Sequence, residues 1–207
     1  MRTAGVKSGS TTRQPQRVET VAGEADAVGE GSLLTRRKLA LICSRTCPGH
    51  VILKTYDFAR LVRDSGIAIV SGFHSPIEKD CLPILLRGPG PLIIVQAHRL
   101  STSRLPRPWQ KAIDAGRLLL LSPFNEKDKR VTAQLAAERN RFVAAISDEV
   151  LIPYAAPGSK TEALALDLLK SGKRVYIFSE RPGPLLEAGA KVVTAEFLSC
   201  RRDSRAP

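Results

Sequence analysis

The stretch IAIVSGFHSPIEKD, residues 67–80, runs from an apolar segment through a short loop into the start of a helix. Its Ser75-Pro76-Ile77-Glu78 segment has the pattern of a capping box: Ser75 is the N-cap, Pro76 opens the helix and Glu78 reaches back to the cap. A strand that passes into a capped helix predicts an α/β unit, with N–H groups at the positive helix end that suit an anion. The same junction also serves as an ordinary connection in any α/β protein.

Short apolar runs and amphipathic stretches alternate along the chain from Lys38 onward. Most of the apolar runs are continuous, as in strands of a sheet that is covered on both faces. The predicted strands are residues 39–43, 67–71, 91–95, 117–121, 149–153, 173–178 and 191–194, and the predicted helices are residues 52–65, 76–87, 107–115, 131–147, 159–171 and 184–188. This order predicts a three-layer, Rossmann-like α/β fold, in which a doubly wound, mostly parallel sheet has helices on both faces. In such folds, ligands bind beyond the carboxyl ends of the strands.

The charge of the chain favours a polyanionic partner. Its 207 residues include 32 lysines and arginines against 20 aspartates and glutamates, a net charge of +12, and 43% of the residues are hydrophobic. A basic protein with enough apolar residues for a core commonly binds nucleic acid or an acidic surface, although a basic surface also serves solubility alone.

Composition divides the chain into three parts. Residues 1–36 are rich in Gly, Ser, Thr and charge and are expected to form a disordered tail. We expect residues 37–198 to form the Rossmann-like domain and residues 199–207 to form a basic C-terminal tail. No apolar run reaches the length of a membrane span, and the chain does not open with a hydrophobic secretion segment. A cytoplasmic protein without a membrane partner is therefore expected.

The cysteines do not form a recognised metal pattern. Cys43 and Cys47 are spaced C-x3-C, with His74 and Cys81 near neighbouring loop ends, but zinc ribbons and fingers use paired C-x2-C or H-x3-H knuckles. Reduced thiols, and no metal ion or cofactor, are expected.

Two loop segments after predicted strands carry groups suited to phosphate. In ICSRTCPG, residues 42–49, Arg45 offers a planar fork for phosphate, or is simply a solvated loop residue. In APGSKTEAL, residues 156–164, Ser159 and Glu162 form a second capping-box pattern, which places Lys160 and Thr161 in the first helical turn. The segment is similar to a phosphate cradle but is not a Walker A loop. Glu162 is a cap or a general base.

The helix LAAERNRFVAAIS, residues 135–147, has an arginine on its apolar stripe. Leu135, Arg139, Phe142 and Ile146 fall on one face, so Arg139 is expected to point toward the sheet. A buried guanidinium needs an anionic partner, which is either an internal acid such as Asp80 or Glu78, or a phosphate. The alternative is that the long side chain extends to the edge of the helix and places its charge in solvent. Phe73 and Phe124 are loop aromatics that either stack on a base or pack in the core.

Together, these segments resemble the DNA-processing protein A (Smf) family over residues 38–180. In chain order they are a strand ending in CSR (residues 43–45), SGFHSPIE (71–78), ERNRFVAAIS (138–147), PGSKTEAL (157–164) and GKRVYIF (172–178). The family's Rossmann-like core carries G-[ST]-R, S-G-x-A-x-G-I-D, R-N-R-I-I-A-G-L-S and S-G-S-x-x-T-A in the same order. The R-N-R stretch is the most specific of the matches.

Members of that family bind and protect single-stranded DNA, load a RecA-type recombinase and form dimers, and they are not known for a chemical step. The resemblance implies a single-stranded DNA-binding protein of DNA processing, in recombination or DNA uptake. The residues carried over by position are Ser44, Arg45, Ser71, Gly72, Arg139, Asn140, Arg141, Gly158, Ser159 and Thr161. Lys160, Phe73, His74 and Ser75 complete the expected site, with N–H groups at residues 75–77 and 159–161.

A second resemblance points to an enzyme. PGSKTE, residues 157–162, approximates the P-G-G-x-G-T-x-E signature of the lysine-decarboxylase-like (LOG) group, which are nucleotide phosphoribohydrolases. In that alternative Arg139 and Glu162 would be the catalytic pair. A nucleotide sensor without turnover is the third possibility.

Overall fold

The computed structural model describes residues 12–100, 105–125, 128, 131–179 and 182–194. Nine strands and six α-helices alternate along this part of the chain. The strands are β1 (Thr12–Thr20), β2 (Gly23–Gly29), β3 (Lys38–Leu41), β4 (Ala68–Ser71), β5 (Leu92–Val95), β6 (Leu118–Ser122), β7 (Glu149–Leu151), β8 (Arg174–Ile177) and β9 (Lys191–Val192). The helices are α1 (Gly49–Val62), α2 (Pro76–Leu86), α3 (Arg107–Asp114), α4 (Ala133–Ile146), α5 (Lys160–Lys170) and α6 (Pro184–Glu187), and a 3₁₀ helix spans Gly31–Thr35.

All nine strands form one sheet in the order β1-β2-β6-β5-β4-β3-β7-β8-β9. Strands β3 to β9 pair in parallel, and only β1 and β2 are antiparallel. From β3 the chain winds first through β4, β5 and β6 and then returns to β7 on the other side of β3. The sheet is therefore doubly wound, as predicted, and its switch point lies between β3 and β7, where such folds bind ligands.

Alternate side chains of each strand face two separate cores. Ala40 and Ile42 pack in the core that contains Phe142 and Ile146 of α4, whereas Leu39 and Leu41 pack in the core that contains Phe58 of α1. Helices therefore cover both faces of the sheet, which confirms the three-layer prediction. No helix in the described ranges is long and apolar enough to cross a bilayer.

The prediction of a disordered tail over residues 1–36 is wrong from Thr12 onward. β1 and β2 form a hairpin, and β2 pairs with β6 in antiparallel register, Asp26 opposite Ser122. Ala25 and Ala27 are buried in the core on the α4 side of the sheet. Because alanine is small and only weakly hydrophobic, the sequence of β2 does not stand out as a buried strand. The burial of these alanines depends on β6, a partner strand that lies far along the chain. Residues 1–11 and the predicted basic tail 199–207 lie outside the described residues.

Candidate nucleic-acid interface

A cavity of about 970 Å³ lies at the carboxyl edge of the sheet, beside the switch point. It is lined by the loops after β3 and β4, by α4 and by the first turns of α5. Four basic side chains (Arg45, Arg139, Arg141 and Lys160) and two acidic ones (Glu78 and Asp167) contribute to its wall. We call it the basic cavity.

Glu78 fixes two of the loops that form the basic cavity. Its Oε2 accepts hydrogen bonds from the N–H groups of His74 (2.9 Å) and Ser75 (3.3 Å), and its Oε1 accepts one from the N–H of Cys43 (2.9 Å). Ser75 Oγ accepts from the Glu78 N–H at 3.4 Å, so the predicted capping box at the start of α2 is confirmed. The N–H of Ser75 is therefore not free for a ligand, and Pro76 has none. Glu78 itself is the anion at this helix end.

Arg139 is a buried cation that faces the basic cavity. The residue is 4% exposed, and its Nε donates to Asn140 Oδ1 at 3.0 Å. Burial lowers the pKa of its guanidinium, and the charge of Glu78 raises it by a smaller amount. The internal partners that the sequence suggests are occupied: Glu78 accepts backbone N–H groups, and Asp80 accepts from the Tyr56 hydroxyl at 2.6 Å. Within the described ranges no carboxylate forms an ion pair with Arg139, so an anionic ligand would satisfy it.

Gly72 allows Arg139 to come this close to the sheet. A Cβ built on Gly72 would overlap Nε, Cζ and Nη1 of Arg139. The next residue, Phe73, has φ 46°, a left-handed conformation that is strained for a bulky residue, and its N–H donates to Ser71 Oγ at 3.0 Å. This turn places the ring of Phe73 in the core on the α1 side, 6% exposed. Phe73 does not line the basic cavity, so it is not available to stack on a base there; of the two expected roles, the structure shows packing in the core.

Ser44 joins the two loops that flank the switch point. Its Oγ accepts from the N–H of Ala156 at 2.9 Å and lies 3.3 Å from Ser159 Oγ. Ser44 thus holds the loop after β3 against the loop before α5. Ser44, Ser71 and Gly72 do not line the basic cavity; they position the residues that do.

The start of α5 has a modified capping box. Ser159 Oγ accepts from the Glu162 N–H at 3.2 Å, but Glu162 Oε2 accepts from the N–H of Gly158 at 2.7 Å rather than from Ser159. Gly158 has φ +69°, which favours glycine. Lys160 and Thr161 follow in the first turn and line the basic cavity.

Arg139 and Glu162, the catalytic pair of the hydrolase alternative, line different cavities. Glu162 faces a smaller, mostly apolar cavity of about 190 Å³ together with Tyr154, Pro157 and Leu185. The structure therefore does not bring the two residues together around one substrate.

His74 is an exposed histidine that lines the basic cavity. Its pKa is lowered below the ordinary histidine value, first by burial and then by the positive charges of Arg139, Lys79 and Arg45, while Glu78 opposes the shift. Burial also raises the pKa of the Cys43 thiol, which lines the cavity, so this cysteine stays protonated. Among the described side chains no group of three or more His, Cys, Asp or Glu is placed to hold a metal ion.

Sequence reasoning missed part of the basic cavity. Thr132, Gln134 and Asp167 line it without having been predicted. Thr132 is the N-cap of α4, where its Oγ1 accepts from the Leu135 N–H at 3.1 Å, and a threonine before a helical stretch is a signal that could have identified it. Asp167 lies two helical turns after Lys160, on the same face of α5.

The chain is similar to known proteins that share this fold. The family model described as "DNA recombination-mediator protein A" matches residues 27–197. A search of curated protein sequences finds no match. Among solved structures, DNA processing protein A from Helicobacter pylori, described for its single-stranded DNA binding mode, is similar at 24% identity with a TM-score of 0.72, over 90% of this chain and 95% of that one.

Two further structures are similar at lower identity. DNA processing protein A from Streptococcus pneumoniae has 21% identity and a TM-score of 0.67, over 86% of this chain and 66% of that one. The molybdenum cofactor carrier protein of Chlamydomonas reinhardtii has 16% identity and a TM-score of 0.53, over 80% of this chain and 94% of that one. At these identities the likeness concerns the fold.

Proposed function

Because the chain belongs to the DNA recombination-mediator protein A family, we propose that it binds the phosphate backbone of single-stranded DNA in the basic cavity. One observation carries the proposal: Arg139 is buried at the cavity wall, and no acid in the described ranges pairs with it. The single-stranded DNA binding described for the Helicobacter pylori relative supports the same ligand.

The position of Arg139 favours a single strand over a duplex. An arginine residue that is 4% exposed contacts a phosphate only if the DNA backbone bends toward it. A single strand is flexible enough to do so, whereas duplex DNA is stiff over about 150 base pairs. Arg45, Arg141 and Lys160 lie nearer the solvent and would neutralise neighbouring phosphates, so binding releases counterions and weakens with salt.

Family membership alone supports four further proposals. We propose that the protein acts in DNA recombination or uptake without a chemical step, that a RecA-type recombinase is its partner, that it self-associates, and that it works in the cytoplasm. We also propose that the functional unit is the Rossmann-like domain, with the β1–β2 hairpin as its edge.

A small nucleotide is the second candidate ligand. Cavities of about 300–1,000 Å³ are typical of small-molecule sites, and the basic cavity has about 970 Å³. A sensor or a phosphoribohydrolase would then use the same arginine. The phosphoribohydrolase is less well supported than the sensor, because Glu162 does not line the basic cavity.

Fluorescence anisotropy with labelled oligo-dT, with duplex DNA of the same length and with AMP as competitor separates the candidates. The proposal predicts tighter binding of the single strand and no displacement by AMP. Equal affinity for both DNAs together with efficient displacement by AMP would favour the nucleotide ligand. Release of free adenine from AMP would then separate an enzyme from a sensor.

A further inference from the structure

A second depression lies on the other flank of α4 from the basic cavity. It has a volume of about 590 Å³ and lies between the tip of the β1–β2 hairpin, the loop after β6 and α4. β2 runs antiparallel to β6, so the hairpin tip stands at the same carboxyl edge of the sheet as the basic cavity. We call this depression the hairpin groove.

The floor of the hairpin groove is apolar. Ala22, Phe124 and Phe142 line it, and both aromatic rings are otherwise buried in the protein. Next to Ala22 in the chain, Val21 is 87% exposed, so the hairpin tip also carries an apolar side chain that the described part of the protein leaves uncovered. A planar, weakly hydrated group such as a nucleobase fits such a surface better than a phosphate does.

Two acidic side chains line the hairpin groove beside the basic Arg141. They are Asp128 and Glu138, and their carboxylates repel phosphate. Carboxylates accept hydrogen bonds from the exocyclic amino groups of cytosine, adenine and guanine, which thymine lacks.

Arg141 connects the hairpin groove to the basic cavity, since its exposed side chain lines both. No acid in the described ranges forms an ion pair with this arginine. A strand whose phosphate contacts Arg141 can therefore direct its bases toward the groove.

We infer that the hairpin groove is a base-binding subsite for the same DNA strand: phosphates cross α4 at Arg141, and the adjacent bases lie between the hairpin tip and α4. This inference rests on the proposed function. It assigns a DNA-contacting role to the hairpin, and it gives the protein a preference for bases with amino groups over thymine.

Filling the hairpin groove tests this inference. Ala145 is exposed on α4 and lines the groove, so Ala145→Trp would occupy it without entering a core. Ala188→Trp, at an exposed alanine that follows α6, is the matched control. Binding is measured by anisotropy with oligo-dC of about 4 and about 15 nucleotides, within the range of single-strand site sizes, after thermal melts show equal folding.

The inference predicts that Ala145→Trp loses at least about fivefold in affinity for the longer strand and less than about twofold for the shorter one. Ala188→Trp should bind both strands like the wild type. The inference also predicts that Glu138→Gln reduces the preference of the wild type for oligo-dC over oligo-dT.

Unchanged binding of the longer strand by Ala145→Trp, or an equal loss on both strands, would overturn the inference and leave the proposed function standing. A wild-type protein that binds neither oligonucleotide would overturn the proposed function itself, and the base subsite with it.

Discussion

Replacement of Gly72 by alanine should displace Arg139 while leaving the fold in place. The added Cβ would overlap three atoms of the guanidinium, which is the mobile end of a long side chain, so the arginine rather than the sheet should move. Gly72 does not have a positive φ, so alanine can adopt its backbone conformation. The variant therefore removes a contact to the ligand without deleting a charge.

The expected loss of DNA affinity follows from the hydrogen bond between Arg139 and the ligand, which this variant displaces. A hydrogen bond to a charged group contributes about 1.5–3 kcal/mol, which corresponds to about a 10- to 140-fold weaker Kd for oligo-dT. Anisotropy measures the Kd, and a thermal melt checks that the variant is folded. Gly49→Ala is the matched control, because no atom lies within 4 Å of the Cβ position there. A folded Gly72→Ala protein that binds oligo-dT like the wild type would refute the role given to Arg139.

Three other predictions follow from the same site. Arg139→Ala should weaken oligo-dT binding at least tenfold more than Lys170→Ala, an exposed lysine at the end of α5, and equal losses in anisotropy would exclude a specific pocket. A bound phosphate should raise the lowered pKa of His74, so affinity should increase as the pH falls from about 7.5 to 5.5, and His74→Gln should abolish this dependence in an anisotropy pH series. Glu78→Gln replaces a buried carboxylate that accepts three backbone N–H bonds, so urea unfolding should show a loss of about 1.5–3 kcal/mol, and a loss below about 0.5 kcal/mol would contradict its role in fixing the loops.

Features of the fold that depend on local sequence could be predicted. Continuous apolar runs such as residues 67–70 and 92–95 mark strands buried on both faces, and the Ser75–Glu78 pattern marks the start of α2. The position of Arg139 on the apolar stripe of α4 also follows from helical periodicity, because the sheet lies on that side.

Features that depend on distant residues could not be predicted. β2 is a strand because β6 supplies its partner and buries Ala25, not because its own sequence is strongly apolar. The approach of Arg139 to Gly72 joins α4 to the end of β4, and the left-handed φ of Phe73 that turns its ring into the core is not encoded in a pattern. The sequence thus predicts loops that border the basic cavity, whereas the contacts of individual residues required the structure.

The salt dependence of binding tests most directly the claim that the basic cavity binds the phosphates of a single strand. Log Kobs for oligo-dT should fall with log[salt] with a slope of about −2.8 if Arg45, Arg139, Arg141 and Lys160 each neutralise one phosphate. The variant with all four residues replaced by alanine, shown to be folded by a thermal melt, should have a slope near zero. An equal slope in the two proteins, or a wild-type slope near zero, would contradict the account.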